Sequence, residues 1–314
     1  MRRFGSLFAV VTAIAAAGVL PACSSPSKDD GRLTVATAFY PIEELVQQVG
    51  GAQIHVVTLV PPGEEAHEYD PTPQQLTKLA DADIVFFLGN GFQPNVEKAI
   101  ASLPSSVKKV DLLEGLTLLP IVAQLDGTEG ETDGEQLADG NDPHVWLDPA
   151  NMQAMSATVQ QVLAAADATH TQEFETNRAA YSATLAALDG DFAAGLAPCD
   201  STDLVTSHRA FAYLAAAYGL RQVSIAGISP GAEPSAKSLE AVAAFAREHG
   251  VHTIFFEDNL PADLARTVAD EIGATTSVLD PIESLSNDQL AGHATYVSVM
   301  RENLVRLQDG LGCS

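Results

Sequence analysis

Short runs of β-branched and aromatic residues alternate along this chain with longer stretches in which apolar residues recur at helical spacing. Residues 32–39 (RLTVATAF) read as a strand, and Pro41 followed by Glu43 and Glu44 opens a helix, since proline and acids suit a first turn. Residues 54–60 form a second apolar run ending in Pro61, Pro62 and Gly63, 73–81 a short helix, and 84–88 a third strand before the Asn90-Gly91 turn. The alternation restarts later, with strands at 203–206, 222–225, 253–256 and 275–279 and helices at 235–249, 262–272 and 293–307. Strands alternating with helices predict parallel βα units, an α/β fold with mainly parallel sheets.

Between the halves the period changes. A helix is expected over 150–166 and a longer one over 171–196, where Phe174, Tyr181, Leu185 and Leu188 fall on one helical stripe. A helix of that length with one packing face makes a stiff connector. The expected organisation is an N-terminal α/β lobe at 32–166, a linking helix at 167–198 and a C-terminal α/β lobe at 199–314.

The first residues belong to none of this. Arg2 and Arg3 precede an apolar run to Leu20, the layout of an export signal, so 1–22 is set apart as a signal peptide. Leu20-Pro21-Ala22-Cys23 resembles a bacterial lipobox, in which the cysteine becomes the lipidated first residue; Pro21 is an unusual occupant. The alternative is an ordinary cleaved signal with Cys23 incidental. Residues 23–31, rich in Ser and Asp, read as a flexible tether. Beyond the signal, no stretch reaches the roughly 18 to 20 apolar residues of a membrane span. The body is expected outside the cytoplasm, held to the membrane by lipid on Cys23. In that oxidising setting Cys199 and Cys313 are candidates for a disulfide, with two separate buried thiols as the alternative, because sequence alone does not give their distance.

Charge narrows the function. A net charge of -25 argues against a nucleic-acid partner, whose phosphates would be repelled, and is compatible with attracting cations. Much of the acidity is concentrated in 124–142, which has seven carboxylates, four glycines and no basic residue. Such a segment reads as a solvated loop; a carboxylate cloud without geometry binds divalent ions only weakly.

Candidate chemistry lies at turns. His67 stands among Glu64, Glu65, Glu68 and Asp70 in a turn closed by Pro71 and Pro73. His144 lies between Pro143 and Pro149, where regular structure is disfavoured. His208 follows the first strand of the second half, and Asp280 follows the last. Ligands of open α/β sheets gather beyond the carboxyl ends of strands, so these positions can meet if the lobes face each other. Glu257 and Asp258 end another strand and could orient a ligand or replace Asp280. The remaining histidines, His55, His170, His249, His252 and His293, lack such settings.

Taken together, His67-Glu68-Tyr69-Asp70-Pro71-Thr72-Pro73, Asp142-Pro143-His144-Val145-Trp146-Leu147-Asp148-Pro149, Ser207-His208-Arg209-Ala210-Phe211-Ala212-Tyr213 and Leu279-Asp280-Pro281 occur in the order seen in the zinc and manganese substrate-binding proteins of ABC transporters. The chain resembles that family from about Leu33 onward. The resemblance implies two βα lobes joined by a long rigid helix, one metal ion in the interlobe cleft, and His67, His144, His208 and Asp280 as its ligands. It also implies an ABC permease as partner and a monomeric carrier. Three imidazoles and one carboxylate match zinc's preference for nitrogen in four-fold coordination, and Zn(II) is the expected cargo, with manganese as the alternative. The chain departs from many zinc members in carrying an acidic segment where they have a histidine-rich loop. A zinc hydrolase is the competing class; it would keep one metal position open for water.

Overall fold

The computed structural model describes residues 31–121, 140–231, 234–257 and 262–314. The signal, most of the tether including Cys23, the greater part of the acidic segment, and Asp258 lie outside the described residues.

The first half is built as β1 (Leu33–Thr37), α1 (Tyr40–Gly50), β2 (Ile54–Thr58), α2 (Pro73–Ala80), β3 (Ile84–Phe87), α3 (Pro94–Ala101) and β4 (Lys108–Asp111). Two connecting helices follow, α4 (Pro149–Ala166) and α5 (Thr171–Leu196). The second half is β5 (Asp203–Thr206), α6 (Ala212–Tyr218), β6 (Arg221–Ser224), α7 (Ala236–Glu248), β7 (Thr253–Phe256), α8 (Asp263–Ile272), β8 (Thr275–Val278), α9 (Asn287–Ala291) and α10 (Tyr296–Leu311).

Each half forms a four-stranded sheet, in the orders β2-β1-β3-β4 and β6-β5-β7-β8, with every pair parallel. In each order the chain reverses its direction of travel at the first strand, and the crevice beyond the carboxyl ends at such a reversal is where α/β sheets bind ligands. The residues that leave β5 and β7 start beside such a reversal, and those that leave β2 and β8 start from the carboxyl ends of edge strands.

Strand β4 leaves no signal in the pattern of apolar residues. Its residues, Lys108, Lys109, Val110 and Asp111, show no buried run because the strand forms a sheet edge, with both lysines exposed. Helix α10 starts later and ends later than its pattern suggests. Thr295 caps it through the amide of Ser298, and Gly310 lies inside it because the helix passes close over β7. A Cβ at Gly310 would sit 2.5 Å from Phe255 Cζ.

One hydrophobic core runs through both halves. It joins β1 and β3 residues such as Val35 and Phe86 to Met152 and Val159 of α4, to Phe174, Tyr181, Leu185, Leu188, Phe192 and Leu196 of α5, and to Met300 and Leu307 of α10. The expected stripe of α5 is thus its buried face, two turns longer than first read. A smaller core, centred on Val205, Ile254 and Val268, lies within the second half alone. No helix among the described residues is long and apolar enough to cross a membrane.

Cys199, just past α5, and Cys313, just past α10, are joined in a disulfide that closes a loop of sequence separation 114. A cross-link of that span removes freedom chiefly from the unfolded chain. Replacing both cysteines by serine should lower stability by about 2–4 kcal/mol in denaturant titrations. An unchanged midpoint would show that the bond contributes nothing.

Candidate metal centre

The turn after β2 is held before it presents anything. The Glu65 carboxylate folds back to accept the His67 amide at 2.7 Å and the Glu68 amide at 2.8 Å, and Gln93 donates to Ala66 O at 2.9 Å. Thr72 and Gln75 close a capping box at the start of α2, and Gln75 also donates to Leu59 O, tying the turn to its strand. The most acidic turn of the described chain thus spends one carboxylate on its own backbone. The His67 ring leans on Phe92, with centroids 4.6 Å apart.

His144 precedes a single 3-10 turn, Val145–Leu147, that leads into α4. Its amide and its Nδ1 both meet Asp142 Oδ1 at 2.9 Å. Tyr213 of α6 donates to Asp142 O at 2.7 Å and accepts from the Leu119 amide, so a residue of the second half braces this loop. His208 leaves β5, and its Nδ1 meets Glu257 Oε1 at the end of β7; the same oxygen accepts from Ser207 Oγ at 2.6 Å. In both histidines an acceptor carboxylate holds Nδ1, which leaves Nε2 pointing inward as the nitrogen that ligates once it carries no proton. That is the arrangement in which carboxylates orient metal-binding imidazoles.

Three Nε2 atoms and one carboxylate oxygen converge. His67 Nε2 is 3.3 Å from His144 Nε2, and Glu283 Oε1 lies 3.3 Å from His67 Nε2, 3.5 Å from His208 Nε2 and 3.7 Å from His144 Nε2. His67, His144, His208 and Glu283 are all buried, with donor atoms within 4.8 Å of one another, and could hold a metal ion. The His208 Nε2 has no hydrogen-bond partner among the described residues. With zinc bonds of about 2.0–2.1 Å, the edge of a tetrahedron is about 3.3–3.4 Å. The His67–His144 and His67–Glu283 separations match that edge and those of Glu283 to His208 and His144 exceed it by a few tenths of an ångström, whereas two imidazole nitrogens face to face can share only one proton.

The carboxylate in this group is Glu283, not the expected Asp280. Asp280 is equally buried, but its Oδ1 accepts from the Ile282 amide and its Oδ2 from Gln289 Nε2, each at 2.7 Å. Ile282 adopts a positive φ of 59°, turning the chain so that Glu283 faces the histidines. The signal along the sequence is Asp-Pro-x-Glu, where an Asp-Pro turn just past β8 carries a second carboxylate three residues on. Glu257 orients His208 and does not replace the missing carboxylate.

Burial alone would raise the Glu283 carboxyl, but the three imidazoles outweigh it and hold it well below the ordinary range. Burial would lower His208, yet Glu257 and then Glu283 push it up to about 9. Asp280 is pushed up by burial, opposed by its Gln289 and Ile282 donors. The metal-free site thus keeps a proton that a ligated His208 must give up.

The chain belongs to the family described as the periplasmic component A of the zinc-uptake complex, whose model matches residues 35–310. It is 36% identical over 313 residues to the zinc-binding lipoprotein AdcA of Streptococcus pneumoniae, covering 98% of this chain and 61% of that protein. It therefore spans about three fifths of the length of that relative. It is 32% identical to the high-affinity zinc uptake system protein ZnuA of Bacillus subtilis, covering 99% of this chain and 98% of that one. The crystal structure of the Zn(II)-bound ZnuA-like domain of S. pneumoniae AdcA superposes with a TM-score of 0.75 at 34% identity, over 90% of this chain and 99% of that one.

The two shifted groups give opposite pH dependences. Raised above its ordinary 6.5, His208 contributes stability to the metal-free protein below pH 6.5 and loses it as pH rises through about 9. Lowered below its ordinary 4.5, Glu283 contributes above pH 4.5 and loses it in acid. The melting temperature of stripped protein should therefore fall from pH 6.5 towards pH 9, and His208→Ala should flatten that limb. A flat wild-type profile over this range would contradict the assignment.

Proposed function

We propose that this chain is an extracytoplasmic zinc carrier, which holds one Zn(II) through His67, His144, His208 and Glu283 and delivers it unreacted to an ABC permease. The observation that carries the reading is the convergence of three inward nitrogens on one carboxylate oxygen, each 3.3–3.7 Å from it. Three imidazoles and a single carboxylate suit zinc, while manganese favours more oxygen and a higher coordination number. Relatives named for zinc binding and zinc uptake support the same cargo.

Four protein ligands leave no position for the water that catalytic zinc activates, so the site favours holding over hydrolysis. The periplasmic description of the family supports a place outside the cytoplasm, and the export signal with its lipobox-like end supports a lipid anchor on Cys23. The four ligands all come from one chain, which supports a monomeric carrier.

Stripped protein should bind zinc one to one, and zinc at about a hundredfold excess over its Kd should stabilise it by about 2.7 kcal/mol. Ligation needs neutral imidazoles, so affinity should rise with pH, the reverse of the metal-free stability trend. Asp142→Asn and Glu257→Gln, which loosen the two orienting contacts, should weaken binding by about 10- to 100-fold. His208→Ala and Glu283→Gln should weaken it at least as much, and manganese should give a smaller thermal shift in calorimetry. No zinc-induced shift, or His208→Ala binding like wild type, would defeat the proposal.

A further inference from the structure

Two carboxylates sit on one short turn after β8, Asp280 and Glu283, and only one faces the histidines. What decides between them lies elsewhere. Asn303, in the middle of α10, is fully buried. Its Oδ1 accepts from the Asp280 amide at 3.0 Å, and its Nδ2 donates to Asp280 O at 2.7 Å. Both backbone groups of Asp280 are therefore held by one side chain. The carboxylate of Asp280 is held in turn by the Ile282 amide and by Gln289 of α9. The next carbonyl, Pro281 O, accepts from Trp146 Nε1 at 2.7 Å, and Trp146 belongs to the loop that carries His144. Tyr296, the first residue of α10, donates to Trp146 O at 2.6 Å.

We propose that Asn303 is a positioning residue for the metal: with Gln289 it clamps Asp280 away from the histidines and so leaves Glu283 as the single carboxylate of the site. This rests on the zinc-carrier reading above and adds how the ligand set is selected. A buried amide that satisfies a donor and an acceptor of the same residue fixes that residue's rotation as well as its place, which an apolar side chain of equal volume cannot do. With the clamp intact the ion meets three nitrogens and one oxygen. With it open, Asp280 is free to turn inward and Glu283 loses its fixed approach, which admits a second carboxylate and a higher coordination number.

The experiment uses the full mature chain, stripped of metal, with Asn303→Leu and Gln289→Ala. Gln289 is only partly buried, so its variant tests the clamp even where Asn303→Leu fails to fold. Zinc affinity is measured by competition with a chelator, and bound Co(II) is read by its visible absorption, which is intense in four-fold and weak in six-fold coordination. Both variants should bind zinc about 10- to 100-fold more weakly, the range found when outer partners of a metal site are removed. Their Co(II) band should weaken, and the preference for zinc over manganese should narrow. A variant that melts earlier without metal but keeps wild-type affinity, spectrum and preference would overturn the proposal, because a merely structural asparagine would do only that. Wild type and Glu283→Gln run alongside: if wild type fails to bind zinc, or Glu283→Gln matches it, the carrier reading itself fails. If those two behave as expected while both clamp variants match wild type, only the clamp is rejected.

Discussion

An imidazole nitrogen buried away from water must be satisfied by something, and three such nitrogens face one another here within a few ångströms of a carboxylate. This convergence is stable only because the far side of each histidine turn is secured. Asp142 holds His144, Glu257 holds His208, and the folded-back Glu65 shapes the turn under His67. The outer carboxylates fix each ring's orientation and which nitrogen faces inward, so the donor atoms are placed before any cation arrives. The fold's task is to bring four prepared atoms to one point.

That task explains the architecture between the lobes. The ligands come from both sheets, and the hydrophobic core continues from one half to the other through α4, α5 and α10. Polar ties cross the same boundary at the cleft. Trp146 meets Pro281, Tyr296 meets Trp146, Tyr213 meets Asp142, and Ser284 accepts from the Gly63 amide at 3.0 Å. A boundary so apolar inside and so bonded at the rim resists free hinge motion. Precision at the site is gained from rigidity that begins far from it, in a helix whose buried stripe runs from Phe174 to Leu196.

The electrostatics follow from the same geometry. A net charge of -25 suggests a protein that gathers cations by bulk acidity, yet the carboxylates of the His67 turn act mainly otherwise. Glu65 caps backbone amides, and Glu68 lies near Gly231 of the facing half, 3.5 Å from where a Cβ would stand. The site itself contains one carboxylate among three imidazoles. In that dry setting each group's charge state is set by its neighbours, which is why Glu283 stays ionised despite burial and His208 keeps a proton above its ordinary range.

Much of this was legible along the chain. Alternating periods disclose parallel βα units, the stripe of α5 discloses a connecting helix, and prolines around His67 and His144 place them on turns, although both side chains are buried, not displayed to solvent. These are local signals, carried by residues within one or two turns of each other. Strand β4 escaped because an edge strand buries too little to leave a pattern. The choice of Glu283 over Asp280 escaped for a different reason. Both carboxylates follow β8, and no local rule separates them. Asn303, twenty-three residues on, and Trp146, far back in the chain, set the rotation of that turn. The sequence by itself determined most of the elements and which imidazoles are available; the tertiary structure decided which carboxylate joins them, because the sense of a buried turn is set by whatever packs against it.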